Sequence, residues 1–251
     1  MIVRKRPILF IVFLLMWMAA PAFPGDGYFI KSVQVDLLKL LPPPPADDST
    51  QTRTEITELV QIEKSRTPME KEAAMADNNL SVFQLASSVL GPKFKEENFP
   101  LAAKFFEHVR EDGRSVYGVA KDEWRRTRPF VASIDVKSCF GGMPMSGSYP
   151  SGHSTLGNLQ AIVLSNMVPE KKAQIFERAA QYTRNRMVCG VHYRSDIEAG
   201  RIAATVIAAF EMQNPEFMKE FDGAKQEVRR ALDLEQTHGS EQGLPEGIGL
   251  R

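Results

Sequence analysis

Gly147-Ser148-Tyr149-Pro150-Ser151-Gly152-His153 runs directly into an apolar helical stretch, Leu156 to Val168, and this join decides the reading of the fold. Ser151 is a natural N-cap, because a serine hydroxyl can accept from a free amide of the first turn. Gly152 lets the backbone approach a ligand closely. Exposed amides and the helix dipole make such a terminus an anion site, with His153 in the first turn beside whatever the amides hold. On their own, a serine cap and a histidine there need mean nothing more than a helix start.

Outward from this join, the chain reads as helix interrupted by glycine, proline and asparagine. Thr54 to Lys64, Pro68 to Ala76 and Leu80 to Leu90 predict short helices, the last stopped by Gly91-Pro92. A longer helix follows Pro100, with Leu101, Phe105, Val109, Val116 and Val119 on an apolar stripe. Asn214-Pro215 is a cap followed by proline at the first helical position, opening a helix to about Leu234. No internal repeat and no alternating strand pattern stands out. The expected fold is all-α, a single compact multi-helix domain over residues 51–237.

The ends differ from this body. Arg4, Lys5 and Arg6 precede the apolar run Ile8 to Met18 and then Ala19-Ala20-Pro21-Ala22, the layout of a secretory signal peptide over 1–22. The run is shorter than the roughly 20 residues that span a bilayer, so cleavage and a periplasmic or secreted protein are expected, with no membrane contact afterwards. Cleavage would leave 28 basic against 31 acidic side chains. No nucleic-acid partner is expected from that balance. Residues 23–50 contain the prolines Pro42 to Pro45, which force an extended stretch and read as a strap lying on the domain. Residues 238–251, with four glycines and a proline, read as a disordered tail. The two cysteines, Cys139 and Cys189, do not form a metal-ligand pair. In an oxidising compartment one disulfide is the simplest expectation, two separately buried thiols the alternative.

Two further clusters carry chemistry. Lys121 and Arg128 are seven residues apart, which two turns of helix would bring to one face, and Pro129 should end that helix at Arg128. Arg125 and Arg126 between them read as a solvated basic face. In Arg186-Met187-Val188-Cys189-Gly190-Val191-His192-Tyr193-Arg194-Ser195-Asp196, His192 and Asp196 stand four apart. Asp196 could hold one ring nitrogen of His192 and leave the other as a nucleophilic lone pair, while Arg186 offers a fork to phosphate oxygens. Taken singly, each cluster is a surface feature. Together they supply what phosphoryl transfer needs: three cations, a helix terminus, an oriented nucleophile and a second histidine as acid.

The pattern Lys-x6-Arg-Pro, Pro-Ser-Gly-His, Arg-x5-His-x3-Asp resembles that of the phosphatidic acid phosphatase type 2 superfamily, and more narrowly the bacterial class A non-specific acid phosphatases. The proline run with Ala46-Asp47-Asp48-Ser49 adds to the likeness, which extends from about Leu41 to the last helix. The resemblance implies a metal-independent acid phosphatase, without cofactor, acting on a broad range of small phosphate monoesters through a phosphohistidine on His192. It assigns Asp196 to hold the nucleophile's tautomer and His153 as general acid, then base. Lys121, Arg128, Ser151, Gly152 and Arg186 would bind phosphate. His153 must then be protonated when substrate arrives, so an acidic optimum is expected. The family usually has serine where this chain has Asn185, which could bond the phosphate or its surroundings. Tyr149 and the Phe140 to Met145 loop are expected to wall the pocket. His108 and His238 are expected to take no catalytic part, and a leftover apolar helical face would allow a homodimer. Rival readings are a vanadium-dependent haloperoxidase, a membrane lipid phosphatase, a metal hydrolase using His153, His192 and Asp196, and a periplasmic phosphoester-binding protein without turnover.

Overall fold

The computed structural model describes residues 26–141 and 146–234. The expected signal peptide at 1–22, the expected tail at 238–251 and loop residues 142–145 lie outside the described residues. Among the described residues ten α-helices run in order: α1 Leu37–Leu40, α2 Thr50–Ser65, α3 Pro68–Ala76, α4 Val82–Leu90, α5 Pro100–Trp124, α6 Pro129–Ala132, α7 Gly152–Met167, α8 Lys172–Val188, α9 Arg194–Glu211 and α10 Pro215–Ala231. The described residues contain no strand, so the fold is all-α as the helical punctuation implies.

Caps fix most of these boundaries. Ser49 accepts from Thr52 N at the start of α2, four residues before the apolar pattern alone places it. Thr67 and Glu70 form a reciprocal capping box on α3, and Asn214 accepts from Glu216 N and Phe217 N on α10. The buried stripe of α5 runs through Ala102, Phe105, Phe106, Val109, Gly113, Val116 and Ala120. Leu101 and Val119 sit outside it and are exposed, because small residues rather than large apolar ones complete the 3.6-residue repeat.

Helix α7 is the centre of the domain, packed between α5, α8 and α9. Leu156, Leu159, Leu164 and Met167 are wholly buried, each worth ~1.5–3 kcal/mol of burial, so Leu159→Ala would cost about 2–5 kcal/mol. At its N-terminal end α7 nearly touches α9: a Cβ on Gly200 would lie 2.7 Å from Ser151 O. That approach lets Ser151 N donate to Asp196 O at 3.0 Å, tying two of the motif segments together through their backbones.

Residues 26–41 lie along α5, burying Phe29, Ile30, Val35, Leu37 and Leu41. Phe29 packs against Phe105 and Phe217, with ring centroids 6.0 and 5.2 Å away. The amides of Phe29 and Ile30 donate to Asp112, a fully buried carboxyl on α5. Beside it stands Glu211, also fully buried. Burial pushes Asp112 up to about 6 despite those amides. Glu211 is held well above the usual carboxylate range, first by burial and then by Asp112.

Candidate active site

The two cations of the first cluster reach the same cleft by a different route from a shared helical face. Helix α5 stops at Trp124, where Arg125 takes a left-handed conformation (φ 45°) as its C-cap. Arg128 is then extended, as a residue before proline must be, and caps α6, which Pro129 opens. The proline rule acts locally; the helix has already ended. Arg126 is not on a solvated face either. It is 4% exposed and ion-paired to Glu55 and Asp196, partners too distant in sequence for charge spacing to reveal.

Lys121 Nζ donates to Gly147 O at 2.7 Å, and burial, with Arg128 nearby, pushes its pKa down to about 7. Arg128 Nη1 donates to Val191 O and His192 Nε2, both at 2.9 Å, and Nη2 to Gly147 O at 3.2 Å. Arg186, in the last turn of α8, donates from Nη2 to Asn78 Oδ1 at 3.3 Å and stacks over Phe140. Its buried Nε and Nη1 have no partner among the described residues. Burial pulls Arg186 down to about 10. Unsatisfied guanidinium donors in a cleft are costly unless an anion fills them.

His192 and Asp196 meet, though not as two residues of one helix. His192 lies in the turn before α9, and Asp196 is the third residue of α9. One carboxylate oxygen, Oδ2, accepts from His192 Nδ1 at 3.1 Å, from Tyr193 N at 3.0 Å and from the Ser148 hydroxyl. Since Asp196 accepts, Nδ1 carries the proton and Nε2 the lone pair. His192 is pushed well below its usual pKa by burial first, then by Arg128, Lys121 and Arg186, which keeps the ring neutral.

His153, in the first turn of α7, donates from Nε2 to Asn78 O at 3.1 Å. Burial and the neighbouring Arg186 push its pKa down to about 3. Burial and the neighbouring cations thus favour the neutral form of the His153 ring.

The cleft has a volume of about 470 Å3 and brings together Lys121, Arg128, Gly152, His153, Arg186 and His192. Ser151 and Asp196 are among the residues it does not expose. Ser151 is fully buried, its amide spent on Asp196 O and its Oγ accepting from Ser154 N at 3.3 Å, so it supports the helix terminus from behind. Gly152 is required by contact: a Cβ there would lie 2.9 Å from the Tyr117 ring. Tyr117, Asn78, Leu80, Ser138 and Ser146 also line the cleft, with Phe140. Tyr149 does not: it is buried against Trp124, and its hydroxyl donates to Pro42 O. Asn185 lies one layer back, donating to Asp77 Oδ2 at 2.7 Å, where with Arg178 it fixes the link that presents Asn78. His108 pairs with Glu220 and stacks on Tyr28, away from the cleft. Cys139 and Cys189 are bonded to each other, fastening the loop with Ser138 and Phe140 to the end of α8.

A helical body with these three motif segments around one cationic cleft defines the class, and the chain belongs to the PAP2 superfamily, whose model matches residues 113–218. Among its relatives, a non-specific acid phosphatase of Providencia stuartii is 34% identical, with 82% of this chain and 86% of that protein covered. One from Salmonella typhimurium is 31% identical over 77% and 80% of the two chains. An acid phosphatase of Zymomonas mobilis is 30% identical over 78% and 76%. A transmembrane PAP2-type phosphatidylglycerolphosphate phosphatase from Bacillus subtilis overlays 70% of this chain and 88% of its own, at a TM-score of 0.46 and 16% identity. Among the described residues of this chain, no helix is long and apolar enough to cross a membrane.

Proposed function

We propose that this chain is an exported acid phosphatase that hydrolyses a broad range of small phosphate monoesters through a phosphohistidine on His192. The observation that carries the reading is a buried neutral imidazole with Nδ1 tied to Asp196 and Nε2 turned toward Lys121, Arg128 and Arg186. An incoming phosphate takes Arg128 Nη1 from His192 and fills the open donors of Arg186, which releases the Nε2 lone pair. The amides of Gly152 and His153, at the first helical positions, have no acceptor within their own helix and add to the anion site.

In the first step the Nε2 lone pair forms the N–P bond, and the P–O ester bond breaks with its electron pair on the leaving oxygen. That oxygen takes a proton from His153. In the second step water gives a proton to His153 as its oxygen attacks phosphorus, and the N–P pair returns to Nε2. Lys121, Arg128 and Arg186 supply the fixed positive charge that the transition state needs. The proton on His153 arrives with the substrate: a phosphate anion in the cleft favours the protonated ring, against the burial and then the cations, Arg186 first, that hold it neutral.

Export rests on the layout of residues 1–22 and suits the Cys139–Cys189 bond, which an oxidising compartment maintains. Rapid quenching of the enzyme with 32P-labelled p-nitrophenyl phosphate tests the chemistry. A labelled, base-stable and acid-labile phosphoenzyme is expected, and it should be lost in His192→Ala. Turnover by His192→Ala at the parent rate would overturn the assignment.

A further inference from the structure

Behind Asp196 lies a second buried charge pair that the chemistry above does not use. Arg126 projects inward from the turn that follows α5, its side chain 1% exposed. Its Nη1 donates to Asp196 Oδ1 and to Ser195 Oγ, both at 2.7 Å. Nη2 donates to Glu55 Oε2 at 3.0 Å and Thr52 Oγ1 at 3.3 Å, and the guanidinium lies 4.0 Å from the Tyr193 ring centroid. Glu55, on α2, also accepts from Ser195 N at 2.8 Å and from Ser195 Oγ at 2.9 Å. Every direction in which the Asp196 carboxylate could turn is thus occupied. Oδ1 is held by Arg126, and Oδ2 by His192, Ser148 and Tyr193 N.

We propose that Arg126 and Glu55 are positioning residues, which hold the Asp196 carboxylate in register with His192 Nδ1 and set how strongly it supports the phosphorylated ring. Once the N–P bond has formed, the imidazole carries positive charge, and its stability depends on the negative charge that Asp196 presents at Oδ2. Arg126 draws on that charge through Oδ1. Glu55, paired to the other side of the same guanidinium, offsets the draw. Buried charges in contact couple strongly, and an uncompensated one acts on its neighbours at nearly full strength. Helix α2, with no residue in the phosphate cleft, becomes part of the apparatus that tunes the nucleophile.

This inference rests on the phosphohistidine reading, and its test separates the two. Glu55→Gln keeps the acceptor for Arg126 but removes the offsetting charge; Arg126→Lys keeps a charge but loses the fork; Arg126→Met removes both. Expected for Glu55→Gln is a fall of about ten-fold in kcat/KM and in the steady-state level of phosphoenzyme. Inhibition by inorganic phosphate, which reads only the cleft cations, should stay within about two-fold of the parent. Arg126→Met should lose on the order of 100-fold in kcat/KM, because the carboxylate is no longer held in place, and Arg126→Lys should recover part of that loss. Denaturation midpoints identify any variant that fails to fold, and Glu55→Gln, the mildest change, then stands as the deciding one. Parent-like kcat/KM and phosphoenzyme level in folded Glu55→Gln would overturn the proposal, as would a loss matched by an equal loss of phosphate binding. If the parent itself yields no phosphoenzyme, it is the reading beneath that fails.

Discussion

Asp112→Asn tests the electrostatics of the core where the N-terminal segment docks. In the unfolded chain Asp112 ionises near its ordinary value of 3.8, whereas in the fold burial holds the proton until about pH 6. Between those values the folded state binds more protons, so stability falls as pH rises. The contribution is complete below 3.8 and lost above 6. At about 1.36 kcal/mol per pH unit, it amounts to about 3 kcal/mol. Asparagine keeps a carbonyl oxygen for the amides of Phe29 and Ile30 but cannot ionise. Relative to the parent, the variant should therefore gain about 3 kcal/mol between pH 4 and pH 6.5, equivalent to about 6–12 °C in Tm for a chain of this size. His153 and His192, whose pKa values are lowered, tilt the parent's curve the opposite way. They do so equally in the variant, while Glu211, raised in part by Asp112, relaxes toward its ordinary value there and changes the difference in the same direction, so the quantity to read is the difference between the two proteins at each pH. Urea denaturation at four or five pH values provides it. A difference that does not change with pH would refute the reasoning.

The rate should depend on pH through the substrate as much as through the enzyme. With free His153 lowered to about 3, the proposed scheme brings the catalytic proton in on the phosphate, whose second ionisation lies at about 6, so kcat/KM should fall above that pH. An aryl phosphate with a more acidic second ionisation should move this limb down by the same interval, and a limb fixed for both substrates would count against the scheme. Loss of charge from Lys121, at about 7, steepens the fall. Removing the Cys139–Cys189 bond, which spans a sequence separation of 50, should cost about 4 kcal/mol in denaturation experiments and slow catalysis through the Phe140 loop; a Cys139→Ser, Cys189→Ser double variant as stable as the parent would show that the link does not constrain the unfolded chain.

What was legible from sequence was what neighbouring residues determine. Pro68 at the first position of α3 and the Asn214-Pro215 pair at the start of α10 are local signals, and they place both helix starts. Lys121, Arg128, Gly152, His153, Arg186 and His192 could be collected because their motifs give residue types at fixed spacing. The reasons for that spacing were less accessible: a left-handed Arg125, not two helical turns, aims Arg128, and a helix terminus, not a helix face, joins His192 to Asp196. Asn78 and Tyr117 belong to no motif and enter the cleft by packing from α5 and from the link after α3. Arg126 was misread because an arginine among arginines looks solvated until Glu55, 71 residues away, is found beside it.

The bond from Arg128 to His192 Nε2 also has a meaning for the idle enzyme. A neutral imidazole with a free lone pair would be open to alkylating and acylating compounds. Here its reactive electron pair is covered by a guanidinium until an oxyanion draws that group away. In the proposed mechanism the same arginine acts as the nucleophile's guard and as the sensor of its substrate, so reactivity is exposed only to molecules that carry the charge needed to unlock it.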